Sequence, residues 1–256
     1  MEISPVTGSI GAQVTGVQLA RIDESTFNKI ADGLWANQVL VFREQEMDVE
    51  DHIAFGRRWG ALHTHPGFPG VNGHPEVLPI SNTGKENTIT EVWHSDVSCE
   101  EEPPSMSILR AIELPPFGGD TMWASQYAAL EHLSLGMREM IDPLRAVHRV
   151  EKRKANFDME ATHPVVRTHP ETGRKALYVN HGFTKNFEGM TPEESKPLLD
   201  YLVGVGSSMH VTMRHSWRPG DIVMWDNRCV MHFAIHDHGN ARREMHRVTV
   251  RGQRPC

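Results

Sequence analysis

The sequence predicts a β-rich α+β domain built on a sandwich or jelly roll. Short runs rich in β-branched and aromatic residues recur through the second half, each closed by Gly, Pro, Asn or Asp. Helical periodicity is confined to a few segments outside those runs, and βαβ alternation is not the pattern.

The helices have recognisable starts. Phe27 to Trp35 follows two candidate caps, Asp23 and Ser25, and Val49 to Trp59 follows Asp48. Ala128 to Ile141 reads as one further helix. Thr191-Pro192-Glu193-Glu194 joins a cap, a proline at the first helical position and a glutamate three residues after the cap, so a helix should run to about Val203. Strands are expected at Val39 to Phe42, Met106 to Leu114, Thr121 to Ala124, Ala176 to Val179, Val211 to Trp217, Ile222 to Trp225 and Met245 to Val250. Pro/Gly clusters such as Pro115-Pro116-Phe117-Gly118-Gly119 are short, like loops between strands. With neither repeat nor linker, residues 1–256 read as a single domain.

Composition narrows the function. The formal charge is −7 and no basic stripe is present, which argues against nucleic acid as a partner. No apolar run approaches membrane-spanning length, and the first residues lack a secretory signal. Cys99, Cys229 and Cys256 are isolated and odd in number, as expected of reduced thiols in a cytoplasmic protein. The 16 histidines are many for this length and direct attention to metal or proton chemistry.

His94-Ser95-Asp96 sets an imidazole and a carboxylate two apart. On extended backbone both point to one face, about 7 Å apart at Cα, and could bend toward one ion. Two histidines and one carboxylate on one face of iron(II) leave open positions for a co-substrate and oxygen. The third ligand must come from far along the chain, and His232, between the turn Asp226-Asn227-Arg228 and a later strand, is a candidate. His236/His238 and His63/His65 also sit two apart, and spacing alone does not choose. If Arg243 to Val250 is a strand, Arg243, Met245 and Arg247 share one face. Two guanidiniums on a core-facing surface each want an anion, either an acidic side chain or a ligand.

Five motifs in order carry a resemblance: Trp93-His94-Ser95-Asp96, Gly118-Gly119-Asp120-Thr121-Met122-Trp123, His163-Pro164-Val165-Val166-Arg167-Thr168-His169-Pro170, Trp225-Asp226-Asn227-Arg228 with His232, and Met245-His246-Arg247. Together with Gly11 to Val17 and Arg58-Trp59-Gly60 they resemble the taurine dioxygenase / phenoxyacetate dioxygenase (TauD/TfdA) family of iron(II)- and 2-oxoglutarate-dependent oxygenases over nearly the whole chain.

The resemblance implies a double-stranded β-helix, a cupin-like jelly roll with flanking helices. It implies iron bound by His94, Asp96 and His232, and 2-oxoglutarate held by Arg243 with the hydroxyl of Thr121. Arg247 resembles the arginine that takes the substrate's anionic group, His65 the histidine that assists it, and Phe68 and Phe183 the aromatic lining. The implied reaction consumes oxygen and 2-oxoglutarate, hydroxylates a C–H of a small carboxylate, sulfonate or sulfate ester, and releases succinate and carbon dioxide. A carbon bearing a heteroatom would then lose it. Asp96 favours hydroxylation over halogenation, because halogenating relatives lack that carboxylate. Thr90 stands where taurine-using members carry an amide, which argues against taurine. Glu151 to Thr162, with Phe157 and Met159, resembles a short piece of lid. Relatives commonly form dimers or tetramers. Two other readings stand beside this one: a zinc hydrolase on the same ligands, and a non-catalytic jelly roll that binds a small anion.

Overall fold

In the computed structural model, which describes residues 1–71, 73–83, 91–151 and 157–256, the chain opens with a hairpin of β1 (Glu2–Pro5) and β2 (Ala12–Thr15). Helix α1 (Glu24–Asn37) follows, capped by Asp23, whose carboxylate accepts from Thr26 N. Gln38 ends it in a left-handed conformation, and β3 (Val39–Phe42) begins at once. Helix α2 (Val49–Arg57) starts in a reciprocal capping box between Asp48 and Asp51.

Next come β4 (Val77–Asn82), β5 (Met106–Glu113) and β6 (Thr121–Ser125). The single helix expected over Ala128 to Ile141 is in fact two, α3 (Gln126–His132) and α4 (Leu135–Ile141). Leu133 and Ser134 are extended, and the Ser134 hydroxyl accepts from Met137 N, so a local side-chain bond starts a new helix there. Short strands β7 (Arg145–Val150), β8 (Met159–Pro164), β9 (Val166–Thr168), β10 (Lys175–Leu177) and β11 (Thr184–Phe187) lead to α5 (Pro192–Gly206). The capping box of α5, Thr191 with Glu194, is the one the sequence announces. The chain closes with β12 (Thr212–His215), β13 (Ile222–Asp226), β14 (Val230–Ala234) and β15 (Arg243–Val250).

A seven-stranded sheet in the order β1-β2-β3-β13-β5-β15-β4 forms one wall. The sheets β12-β6-β14 and β11-β7-β8 supply the opposing strands. Leu109, Val223, Trp225 and Met245 of the large sheet pack with Trp123, Met213 and Val230 of β6, β12 and β14, so the two inner faces meet in an apolar core. The outer face of the large sheet buries Leu40, Phe42, Ile108 and Met224 against Ile30 and Leu34 of α1 and Phe55 of α2. Each such aliphatic side chain removed from water contributes about 1.5–3 kcal/mol. The jelly roll is therefore stapled from outside by helices, and its interior mouth is left to polar side chains.

Candidate metal centre and its anion-binding strand

Two backbone hydrogen bonds join residue 94 to β14: His94 N to His232 O at 3.1 Å, and His232 N to His94 O at 2.8 Å. This bridge brings the two imidazoles together across the pair, ring centroids 4.1 Å apart. Asp96, two residues on, returns to the same side. Its Oδ1 lies 4.0 Å from His94 Nε2 and 3.8 Å from His232 Nε2, and one ligand atom from each of the three lies within 4.8 Å of the others. All three residues are buried.

The donor set suits a divalent ion. His94 Nδ1 donates to Val92 O at 2.7 Å, which leaves Nε2 with its lone pair facing the cluster. Burial pulls the His94 pKa down and the His232 pKa well down, with the Arg247 charge adding to both, so the imidazoles are in the neutral form a metal needs. Burial by itself would raise the Asp96 carboxyl. The opposing charge of Arg247, with a hydrogen bond from Ser107, overcomes it and holds Asp96 well below the usual carboxylate range. The spans near 4 Å exceed by about 1 Å the separation of adjacent ligands at metal bonds of about 2.1 Å, a difference that side-chain rotation closes.

Asp96 is held from behind. Ser107 Oγ on β5 donates to Asp96 Oδ2 at 2.6 Å, and Asn227 Nδ2 donates to Ser107 Oγ at 2.9 Å. Asn227 is fixed in turn by Trp225 Nε1 at 2.9 Å. With Oδ2 engaged, Oδ1 is the oxygen that faces the histidines. No role for Ser107 was legible in advance; the signal was a lone hydroxyl inside the buried run Met106-Ser107-Ile108-Leu109.

The rivals disperse. His63 pairs with Glu100 at 2.9 Å, His236 Nδ1 lies 3.8 Å from Glu91, and His238 Nδ1 donates to Ala241 O. Among the described residues one other set of possible metal ligands is gathered: His169, Asp226 and Cys229. Its carboxylate is already consumed by Arg228 and His169, and His169 Nδ1 accepts from two backbone amides, so it is a structural knot.

Strand β15 alternates as expected, with Arg243, Met245 and Arg247 buried on the inner face. Arg243 is 2% exposed, and no carboxylate among the described residues lies within ion-pair distance of it. Its Nε donates to Gly119 O at 2.9 Å and its Nη2 to Thr121 Oγ1 at 3.3 Å. Burial draws its pKa from 12.5 to about 10, with Asp120 partly offsetting. Thr121 Oγ1 also accepts from Trp217 Nε1 at 3.0 Å, so both lone pairs are used and its proton is left to donate. Gly119 has φ of +71°, and a Cβ there would lie 3.0 Å from Arg243 Cδ, which is why a Gly-Gly turn precedes β6. A buried cation without a counter-ion, beside a hydroxyl with its proton to give, fits the carboxylate of a ligand. Trp217, which sequence reasoning left as part of a strand, orients that hydroxyl.

Arg247 is buried too, and here an acidic side chain does meet a guanidinium: Nη1 donates to Asp96 Oδ1. Its Nε is buried without a partner. His65 feels the charges of Arg247 and Asp96, and burial, then Arg247, lowers its pKa to about 4. Its ring lies 5.0 Å from Phe68 and 5.5 Å from Phe157. Phe68 is 37% exposed at the rim, whereas Phe183 is buried, 6.4 Å from the His94 ring, in a cluster that Phe157 and Met159 join. Thr90 and residues 152–156 of the expected lid lie outside the described residues.

The chain is similar to known proteins over nearly its whole length. A family model described as "Taurine catabolism dioxygenase TauD, TfdA family" matches residues 2–249. An alpha-ketoglutarate-dependent sulfate ester dioxygenase of Pseudomonas putida is 34% identical over 100% of this chain and 91% of its own length. A solved structure described as a putative alpha-ketoglutarate-dependent taurine dioxygenase from Burkholderia xenovorans superposes with a TM-score of 0.91 at 37% identity, covering 99% of this chain and 93% of that one. AAD-2, solved in complex with Mn(II) and N-oxalylglycine, gives a TM-score of 0.87 at 25% identity over 99% of both chains.

Proposed function

For a chain that belongs to the TauD/TfdA family, and is thus an iron(II)- and 2-oxoglutarate-dependent dioxygenase using O2, we propose how its residues divide the work and what class of substrate they take. The observation that carries the reading is the buried gathering of His94, Asp96 and His232 beside two buried arginines on one strand face. His94 Nε2, Asp96 Oδ1 and His232 Nε2 hold the iron. Arg243 and Thr121 hold the far carboxylate of 2-oxoglutarate. With oxygen, the bound pair supplies the oxidising power that hydroxylates a substrate C–H and leaves succinate and carbon dioxide.

Arg247, with His65 beside it and Phe68 and Phe183 as walls, binds the anionic end of a small organic substrate. The unpartnered Nε of Arg247 and the neutral state of His65 support this, since together they offer donors to a second anion close to Asp96. Fixing the anion fixes which carbon faces the metal, and small misplacements are costly in such a step. Similarity to a sulfate ester dioxygenase puts sulfate esters and sulfonates first and carboxylates next. Hydroxylation beside the ester oxygen would give a product that collapses with loss of sulfate. The zinc hydrolase and the non-catalytic binder draw no support from these relatives.

Three cysteines without disulfide partners support a reducing compartment, the cytoplasm, and no helix among the described residues is long and apolar enough to cross a membrane. A dimer or tetramer is expected by analogy and is read by light scattering.

The test is a panel of alkyl sulfates, alkyl sulfonates and aryloxyalkanoates, scored by succinate release with iron(II) and ascorbate. At least one anion should stimulate turnover, and Arg247→Ala should raise its KM far more than that of 2-oxoglutarate. Arg243→Ala should do the reverse. Equal effects of the two variants on both ligands would overturn the assignment.

A further inference from the structure

Arg167 on β9 is 3% exposed, and its Nε is buried without a hydrogen-bond partner. Its guanidinium lies 4.6 Å from the Tyr178 ring centroid, and no carboxylate among the described residues lies within ion-pair distance. Arg167 lines a cavity of about 190 Å³ together with Arg228, Arg251, Arg254, Trp35 and Trp59. Trp59 Nε1 is likewise buried without a partner. Arg167 and Trp59 both line the cavity, and each also carries a buried donor that the protein leaves unmatched, at a cost in free energy.

The charge balance points the same way. Arg228 is matched by Asp226, which accepts from Nε and Nη2, and its Nη1 lies 3.5 Å from Glu171. Arg251 and Arg254 have no carboxylate within 4 Å among the described residues, and Arg251 spends Nε on Leu62 O. The Cys256 oxygen accepts from Thr168 N at 2.6 Å, which ties the last residues to β9 and brings these arginines against it. Four arginines, Arg167, Arg228, Arg251 and Arg254, stand against Asp226, Glu171 and a carboxylate counted at Cys256, which leaves one cation in excess, and the buried member without a carboxylate is Arg167.

We propose that this cavity is a second anion site, separate from Arg243 and Arg247, that takes a small divalent oxyanion with several oxygens to share among the guanidiniums. At a liquid-water share of about 30 Å³ per molecule, the space holds roughly six waters, enough for sulfate, phosphate or a short dicarboxylate. Planar guanidiniums match such oxygens with paired hydrogen bonds, and the Trp35 and Trp59 rings exclude water from one side.

The site also touches the metal centre through the backbone. Arg228 and Asp226 flank Asn227, whose Oδ1 accepts from the Asp96 amide and whose amide group holds Ser107. Arg228 lines the cavity, so the cavity wall and the brace behind Asp96 share one turn.

The test uses the full chain with Arg243→Ala and Arg247→Ala combined, which removes the active-site anion grips. Inorganic phosphate is titrated into it by calorimetry at low ionic strength, with sodium chloride at matched ionic strength as the control. One phosphate per chain should bind. Adding Arg251→Ala and Arg254→Ala, both exposed, should weaken that binding at least tenfold without lowering Tm in the absence of phosphate, and Arg167→Gln should abolish it. Sulfate and succinate titrations then tell which oxyanion is preferred. No saturable binding in the active-site variant would overturn the proposal, as would an affinity unchanged by loss of Arg251 and Arg254. So would full suppression by chloride at matched ionic strength, which marks mere screening.

Discussion

Replacing Ser107 by alanine isolates what the second layer of residues does for the metal site. Ser107 Oγ donates to Asp96 Oδ2 at 2.6 Å and accepts from Asn227 Nδ2 at 2.9 Å, and the residue is fully buried. The bond to a charged acceptor contributes about 1.5–3 kcal/mol. Its loss frees Oδ2 and leaves Arg247 Nη1, bonded to Oδ1, as the remaining side-chain hold on the carboxylate. Loss of such a partner typically weakens metal binding about 10- to 100-fold. A separate cost falls on the fold, because Asn227 Nδ2 is left unpaired in the interior, worth about 1–3 kcal/mol. The two costs are read separately. Iron(II) affinity is measured anaerobically by competition with a chelator, and stability by urea unfolding in excess chelator. Ser107→Thr keeps the hydroxyl and should recover most of the iron affinity. An iron Kd for Ser107→Ala within about twofold of the native value would refute the argument, since it would place that variant's loss far below the typical range.

Three further outcomes follow from the same contacts. A Cβ added at Gly182 would meet the His94 Cβ at 2.9 Å, so Gly182→Ala should weaken iron binding while unfolding stays cooperative; unchanged iron affinity would show that the loop simply yields. His52 is fully buried, its Nε2 donates to Ile108 O, and burial lowers its pKa to about 3. The unfolded chain therefore binds a proton below pH 6.5 that the folded one refuses. Stability should be full above that pH and fall as pH drops toward 3, by roughly 2 kcal/mol at pH 5 from this residue alone. Urea midpoints at pH 8 and 5 measure the fall, and His52→Gln should reduce it; an equal fall in the variant would assign it elsewhere. Thr191→Ala removes the α5 capping box and should cost about 1 kcal/mol in the same assay without changing iron affinity.

Much of this protein was legible in one dimension because its cues are local. Asp23, Asp48 and Thr191 announce helix starts through bonds spanning three residues, and the structure uses all three. Strand alternation put Arg243 and Arg247 on one face of β15, and they are buried there. The break at Ser134 was misjudged for a local reason too, since one hydroxyl bond outweighs a helical apolar pattern. What no spacing rule could decide was which distant histidine joins His94 and Asp96. What gathers His232 with them is the isolated backbone bridge between residue 94 and β14, by which segments far apart in the chain pair their amides and carbonyls. The same closure set Ser107 and Asn227 behind Asp96 and Trp217 behind Thr121, and gathered Arg167, Arg228, Arg251 and Arg254 around one cavity. Sequence by itself determined the residue types and the face each one occupies. Only the tertiary structure decided which faces meet, because a contact between residues more than a hundred positions apart depends on sheet packing, which no local pattern encodes.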